Sequence, residues 1–187
     1  DQSQGLLSQS LSLDLPKIAQ WAANYVKKAA PVEMSHDFTA AKSYSPYPVG
    51  AEQRSKYAKA VKLGKELISV GKVGAFVVAG GQGTRLGFPG PKGNLPLSPV
   101  QNKTLFRIFA ETIAAASDKY KTPVPWYIMT SPLNHRETSE IFRKNDYFGL
   151  DSDNVVLFKQ GTLPNFDFAG RILLEEKGKM ATSPDGH

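Results

Sequence analysis

The chain has 187 residues, 41% hydrophobic and 21% charged, with 23 basic against 17 acidic residues and a formal net charge of +6. That length supports a domain with a sizeable core, and the composition is that of an ordinary globular protein. With no cysteine in the chain, disulfides, thiol catalysis and cysteine-based metal sites are excluded. The positive balance suits a polyanionic ligand, but the basic residues are scattered without a long run, which argues against nucleic acid. No apolar run reaches the ~18 residues of a membrane span. The N-terminus lacks a basic-then-apolar targeting pattern, and a cytoplasmic setting is expected. A start at Asp1 without methionine and an end at His187, after Ser-Pro-Asp-Gly, read as a piece of a longer protein.

Asp1–Ser12 is polar with interspersed leucines, a loosely held segment or a short helix. Asp14 is placed to cap a helix with Pro16 in its first turn. Ile18, Trp21, Ala22 and Tyr25 recur at helical spacing, and Pro31 ends the run. Val32–Pro48 is rich in Pro, Ser and Tyr and reads as an extended connector, with Tyr44 and Tyr47 assigned to core packing rather than to base stacking. Ala51–Val70 reads as a helix with Tyr57, Val61, Leu63, Leu67 and Ile68 as its apolar positions, stopped by Gly71. Val73–Ala79 is the first core strand. It runs directly into Gly-Gly-Gln-Gly-Thr-Arg-Leu-Gly-Phe-Pro-Gly-Pro-Lys-Gly over residues 80–93.

A buried strand emptying into a glycine-rich turn is the form of a phosphate-binding loop. Gly80, Gly81, Gly83 and Gly87 let the backbone approach a ligand closely, and successive N–H groups in such a turn make an anion-binding concavity. Arg85 and Lys92 add positive charge, and Pro89 and Pro91 stiffen the segment that carries Lys92. A Walker loop is excluded, because Gly87 precedes Phe88 and Lys92 precedes Gly93. The dinucleotide fingerprint fits no better. Its glycine spacing from Gly81 is one residue too long, and about 20 residues on, where an acidic ribose ligand belongs, stand Lys103 and Thr104.

Thr104–Lys119 reads as a helix capped by Thr104 or Asn102, with Leu105, Phe106, Ile108, Phe109 and Ile113 at buried spacing. Val124–Ser131 reads as a second strand, Pro125 being tolerated near its start. Asn134–Lys144 reads as a helix burying Ile141 and Phe142, with His135 as an exposed helix residue. Val155–Lys159 is a third strand ending at Gln160, and Ile172–Glu176 pairs with Lys179–Thr182 around Gly178. Alternating strands and helices predict right-handed crossovers and a mostly parallel α/β sheet with helices on both faces. Ligands of such sheets sit beyond the carboxyl ends of the strands. The glycine loop, Thr130–Ser131 and Gln160 all follow strand ends, so they converge on one rim.

The run Gly-Gly-x-Gly-Thr-Arg-Leu-Gly…Pro-Lys at 80–92 closely resembles the signature of the UDP-sugar pyrophosphorylase family, which includes UDP-N-acetylglucosamine and UDP-glucose pyrophosphorylases. Asn102–Phe106, Ile128–Ser131 and Phe142–Leu150 are similar to segments of the same family. The resemblance implies a Rossmann-like nucleotidyltransferase (GT-A-like) fold, incomplete here. It implies an N-terminal helical and extended segment over 1–50 and the nucleotide-binding part of a catalytic domain over 51–187. The implied reaction joins UTP to a sugar 1-phosphate, giving a UDP-sugar and pyrophosphate, with Mg2+ or Mn2+ expected.

By motif match, Gly80 and Gly81 would face the nucleotide through their main chain. Gly83, Thr84 and Arg85 would wrap the triphosphate, and Lys92 would sit near the α-phosphate and the leaving pyrophosphate. Gln160 would hydrogen-bond the uracil edge, a side-chain amide offering both a donor and an acceptor. Gly186 and His187 match a family segment near the base. His187 is more typical of UDP-glucose enzymes and the preceding Ser-Pro-Asp of N-acetylglucosamine enzymes, which leaves the sugar open. Lys103 reads equally as a phosphate contact or a surface lysine. Sugar-recognition elements and metal ligands are expected beyond His187, and the segment alone is expected to be inactive. The alternatives are a non-catalytic nucleotide-binding module and a nucleotidyltransferase using another nucleotide.

Overall fold

The computed structural model describes residues 2–11, 13–28 and 37–184. In chain order its elements are α1 (Gln2–Leu11), α2 (Leu15–Trp21), α3 (Gly50–Ser69), β1 (Ala75–Val78), α4 (Leu105–Tyr120), β2 (Trp126–Thr130), α5 (His135–Lys144), β3 (Val155–Lys159), β4 (Thr162–Pro164), β5 (Leu174–Glu176), β6 (Lys179–Met180) and β7 (Thr182–Pro184). They form two compact units, one of residues 44–160 and one of residues 1–43 with 161–187. No helix among the described residues is long and apolar enough to cross a membrane.

The unit of residues 44–160 is a parallel sheet in the order β1-β2-β3. Its register places Ala75 beside Trp126 and Trp126 beside Val155, with Val77, Ile128 and Leu157 one pleat further on. These residues share one face, since side chains alternate along a strand. That face is covered by Phe106, Ala110 and Ile113, spaced along one stripe of α4, and by Phe142 of α5. Phe142 is wholly buried and meets Phe106, Trp126 and Phe148 edge-on, with centroids 5.0, 5.4 and 5.1 Å away. Edge-to-face rings at this spacing gain more than their buried area alone. Thr104 caps α4 by accepting from the Arg107 N–H. Gly71, at φ +70, closes α3, with the Lys72 N–H donating to the Leu67 carbonyl and the Gly71 N–H to that of Ile68. This is the glycine stop expected from the sequence.

Two expectations are corrected here. The opposite sheet face carries Phe76, Val78, Tyr127, Val156 and Phe158, all exposed, Phe76 by 60%, with Met129 alone buried on it among the described strand residues. Helices therefore cover one face, not two, among the described residues. The cause is topological. A strand order that advances one way without reversing, joined by right-handed crossovers, carries each connecting helix over the same side. The second correction concerns the connector. Tyr44 and Tyr47 are exposed rather than packed in the core, and the Lys56 ammonium lies 4.4 Å from the centre of the Tyr44 ring. The apolar positions of α3 stay largely open as well, and α3 has no buried residue.

In the other unit, the Asp14 side chain accepts from the Lys17 N–H and caps α2 as expected, with a proline in the first turn. The helix then continues as a π-helical turn over Ala22–Lys27. β5 pairs antiparallel with β6 around Gly178, and β4 pairs antiparallel with β7, a pairing the sequence did not signal. The Met180 N–H donates to Gln9 Oε1 at 2.8 Å, tying β6 to α1.

Phe142→Ala removes the ring on which α4, α5 and β2 converge and is expected to cost about 3–5 kcal/mol. Phe76→Ala, on the open face, costs a small fraction of that. Denaturant unfolding of both variants checks the ranking, and comparable losses would contradict this account of the core.

Candidate functional site

The site begins where β1 ends. The Ala79 N–H makes the last contact of β1 with β2, donating to the Met129 carbonyl at 2.6 Å. The chain then folds back on itself. The Gly83 N–H donates to the Gly90 carbonyl at 2.9 Å and the Lys92 N–H to the Gly81 carbonyl at 3.1 Å, while Gln82 pairs antiparallel with Pro91. The tip between them is a 3-10 turn, Thr84–Leu86, closed by Gly87 in the left-handed region. This local hairpin brings Lys92 back over the start of the loop. A Cβ on Gly81 would lie 3.7 Å from Lys92 Nζ.

The glycines do different work. Gly80 is flush with its neighbours: a Cβ there would lie 3.2 Å from Gln160 Oε1 and 3.3 Å from the Ser131 nitrogen. Gly83 is buried, and a Cβ there would stand 2.9 Å from both the Phe88 ring and the Phe88 carbonyl oxygen. Its N–H is already committed to Gly90. Gly83 thus packs the hairpin, whereas among the described residues the N–H groups of Gly80, Gly81 and Gln82 donate to nothing. Unpaired N–H groups in succession, beside an ammonium, make a seat for an anion. Arg85 and Lys92 are exposed, and neither enters an ion pair among the described residues.

Gln160 stands on the same rim. Its N–H donates to the Thr130 carbonyl at 2.8 Å, extending the pairing of β3 with β2. The residue is 7% exposed, and its Oε1 is buried without a partner among the described residues. A buried acceptor left open in this way costs stability unless a ligand or water fills it. The structure therefore gathers Gly80, Gly81, Lys92 and Gln160, places Thr84 and Arg85 at the exposed tip of the hairpin, and leaves Gly186 and His187 outside the described residues.

The remaining candidates fall elsewhere. Lys103 Nζ binds Glu111 at 2.7 Å, and Arg107 shares that carboxylate at 3.1 Å. The hydrogen bond from Lys103, foremost, holds the Glu111 carboxyl below its ordinary range. His135 is half-buried rather than exposed. Its Nδ1 lies 2.7 Å from Thr130 Oγ1, whose own proton goes to the Phe158 carbonyl. The threonine oxygen therefore accepts, and the ring carries its proton on Nδ1.

The family described as UTP–glucose-1-phosphate uridylyltransferase matches residues 36–187. The chain belongs to that family. A probable UDP-N-acetylglucosamine pyrophosphorylase of Schizosaccharomyces pombe is 42% identical over 135 residues, covering 67% of this chain and 28% of the relative. The UDP-N-acetylglucosamine pyrophosphorylase of Saccharomyces cerevisiae is 41% identical over 130 residues, covering 67% and 27%. Among solved structures, the uridine diphosphate N-acetylglucosamine pyrophosphorylase of Trypanosoma brucei superposes with a TM-score of 0.64 at 33% identity, covering 72% of this chain and 29% of that one. The chain spans roughly a quarter of the length of the curated relatives it matches. Its parallel α/β sheet is thus a segment of the uridylyltransferase family's nucleotidyltransferase-like fold.

Within this segment, one rim residue escaped the sequence reading. Asn134 is fully buried and bonds Ser131 on one side and Ala79 and Gly81 on the other. From sequence it was only a polar residue at a helix start, and its side chain makes no cap bond to α5.

The two kinds of glycine separate by stability. Gly83→Ala must displace the Phe88 backbone and is expected to cost about 1–3 kcal/mol. Gly81→Ala meets only the end of a flexible lysine and stays near wild type. Chemical denaturation distinguishes them, and equal effects would refute the division of roles.

Proposed function

We propose that the chain is the nucleotide-binding segment of a uridylyltransferase that makes a UDP-sugar and pyrophosphate from UTP and a sugar 1-phosphate. The observation that carries this reading is the meeting, on one rim, of unpaired loop N–H groups, the Lys92 ammonium and the open carbonyl of Gln160. The names of the matched relatives favour N-acetylglucosamine 1-phosphate as the second substrate. A cytoplasmic setting belongs to the same reading.

A sugar phosphate is already an anionic nucleophile at neutral pH, so its attack on the α-phosphorus of UTP needs no general base from the protein. The protein must hold two anions in line and neutralise charge on the departing pyrophosphate. Gly80, Gly81 and Gln82 would supply backbone donors to the phosphates, and Thr84 and Arg85 would close over them from the hairpin tip. Lys92, riding over Gly81, would meet charge that grows in the transition state. The Gln160 amide would present its carbonyl to the uracil N3–H. Cytosine has an unprotonated N3 there, so its lone pair would face the same oxygen. A side chain on Gly80 would press on Gln160 Oε1, so the glycine would keep that acceptor clear for the base.

The resemblance also implies Mg2+ or Mn2+. Among the described residues no group of three or more His, Cys, Asp or Glu could hold a metal ion. None of the roles above depends on a metal.

Lys92→Ala in the full-length protein is expected to lower turnover by roughly 100-fold or more, read as pyrophosphate release. Retained turnover would remove Lys92 from the chemistry. UTP binding without any pyrophosphate release from wild type would make the segment a non-catalytic nucleotide module. Gln160→Ala is expected to weaken UTP while narrowing the preference for UTP over CTP. Titrations with UTP, CTP, ATP and GTP measure this, and unchanged discrimination would disprove the uracil role.

A further inference from the structure

The pairing of β1 with β2 ends in an unusual way. The Ala79 N–H donates to the Met129 carbonyl, so the regular parallel ladder would next have the Ser131 N–H donate to the Ala79 carbonyl. That rung is absent. In its place stands the Asn134 carboxamide. The Ser131 N–H donates to Asn134 Oδ1 at 2.9 Å, and Asn134 Nδ2 donates to the Ala79 carbonyl at 2.9 Å. The amide acts as one extra peptide unit bridging the two strands at the rim.

Three further bonds brace the insertion. The Ser131 hydroxyl donates to Asn134 Oδ1 at 3.1 Å, and the Asn134 N–H donates to the Ser131 hydroxyl at 3.3 Å. Asn134 Nδ2 also reaches the Gly81 carbonyl at 3.5 Å. With the residue wholly buried, water does not compete for these partners.

The consequence lies in the peptide planes. In a trans peptide the C=O and the following N–H point to opposite sides. Holding the Ala79 carbonyl inward turns the Gly80 N–H outward, and the Gly81 carbonyl, shared between the Lys92 N–H at 3.1 Å and Asn134 Nδ2 at 3.5 Å, turns that of Gln82. Both outward groups lack partners among the described residues.

We propose that Asn134 is a positioning residue of the nucleotide site: its carboxamide replaces the last rung between β1 and β2 and sets the loop N–H groups toward a polyphosphate. The inference rests on reading that loop as the UTP site. Asn134 touches no ligand in this scheme and acts only through the backbone of residues 79–82.

Asn134→Asp is the isosteric test. It keeps the oxygen that accepts from Ser131 but loses the donor to Ala79 and Gly81. In the full-length protein, UTP affinity is expected to fall about tenfold or more, as for a lost buried donor that orients several contacts. Uridine, which lacks phosphates, should keep its affinity within about twofold, both measured by NMR titration. Equal losses for UTP and uridine would reduce Asn134 to general structural support and overturn the proposal, as would an unchanged UTP affinity. A wild-type protein that binds no UTP defeats the nucleotide reading itself, a separate outcome. Should Asn134→Asp not fold, amide exchange in the wild type decides. The Ser131 amide is expected to exchange slowly with or without UTP, and those of Gly80–Gln82 to slow only when UTP is added. A Ser131 amide that exchanges as fast as the loop overturns the proposal.

Discussion

The structure turns on how the pairing between β1 and β2 stops. Up to Ala79 the groups of β1 that face β2 have a regular place in a parallel ladder, and beyond it the chain must supply donors to something else. Beyond Ala79 the N–H groups of Gly80, Gly81 and Gln82 have no partner among the described residues, and the buried amide of Asn134 takes the Ala79 carbonyl that the next rung from β2 would have used. The hairpin of residues 81–92 then satisfies its own backbone through Gly83 and Lys92, which leaves the free donors concentrated at its root. A cation at that root is a consequence of the same fold-back, because the pairing of Gln82 with Pro91 fixes where Lys92 emerges.

The buried core underneath is what makes this termination firm. Phe142 lies in the same helix that begins just after Asn134, and its ring is held by Phe106, Trp126 and Phe148. The position of α5 therefore sets the position of the Asn134 side chain, and through it the exit of β1. On the other flank, Thr130 joins the end of β2 to the Phe158 carbonyl of β3 and to His135 of α5. Core packing and rim geometry share the same residues over a few ångströms, so the site inherits the rigidity of the ring cluster.

Much of this could be read in the sequence, and the division between what could and could not is physical. The loop at 80–93 announces itself because its glycines, prolines and cations have no rationale in a plain turn, and the strand before it is a simple apolar run. Gln160 was legible as a polar residue at a strand end. Asn134 was not, since its meaning comes from Ala79, 55 positions away, and local pattern carries no information about such a partner. Gly83 looked like one more phosphate glycine, but the contact with Phe88 that explains it depends on the hairpin's closure. The expected cover on both sheet faces failed for another reason. Alternation of strands and helices fixes the crossovers but not the order of the strands, and here the order decides the side.

The open face bears on stability rather than on the site. Phe76, Val78, Tyr127, Val156 and Phe158 present an apolar surface of the kind that parallel sheets usually cover. These side chains point away from the face that holds Phe106 and Phe142. The rim groups, by contrast, are fixed by ladder bonds in the plane of the sheet and by α5 on the covered side. Anything laid over the open face would bury area and raise stability, in proportion to the apolar surface removed from water. It would leave the turn at Ala79 where it is, because neither the ladder bond from Ala79 to Met129 nor the Asn134 amide draws on a residue of that face through its side chain.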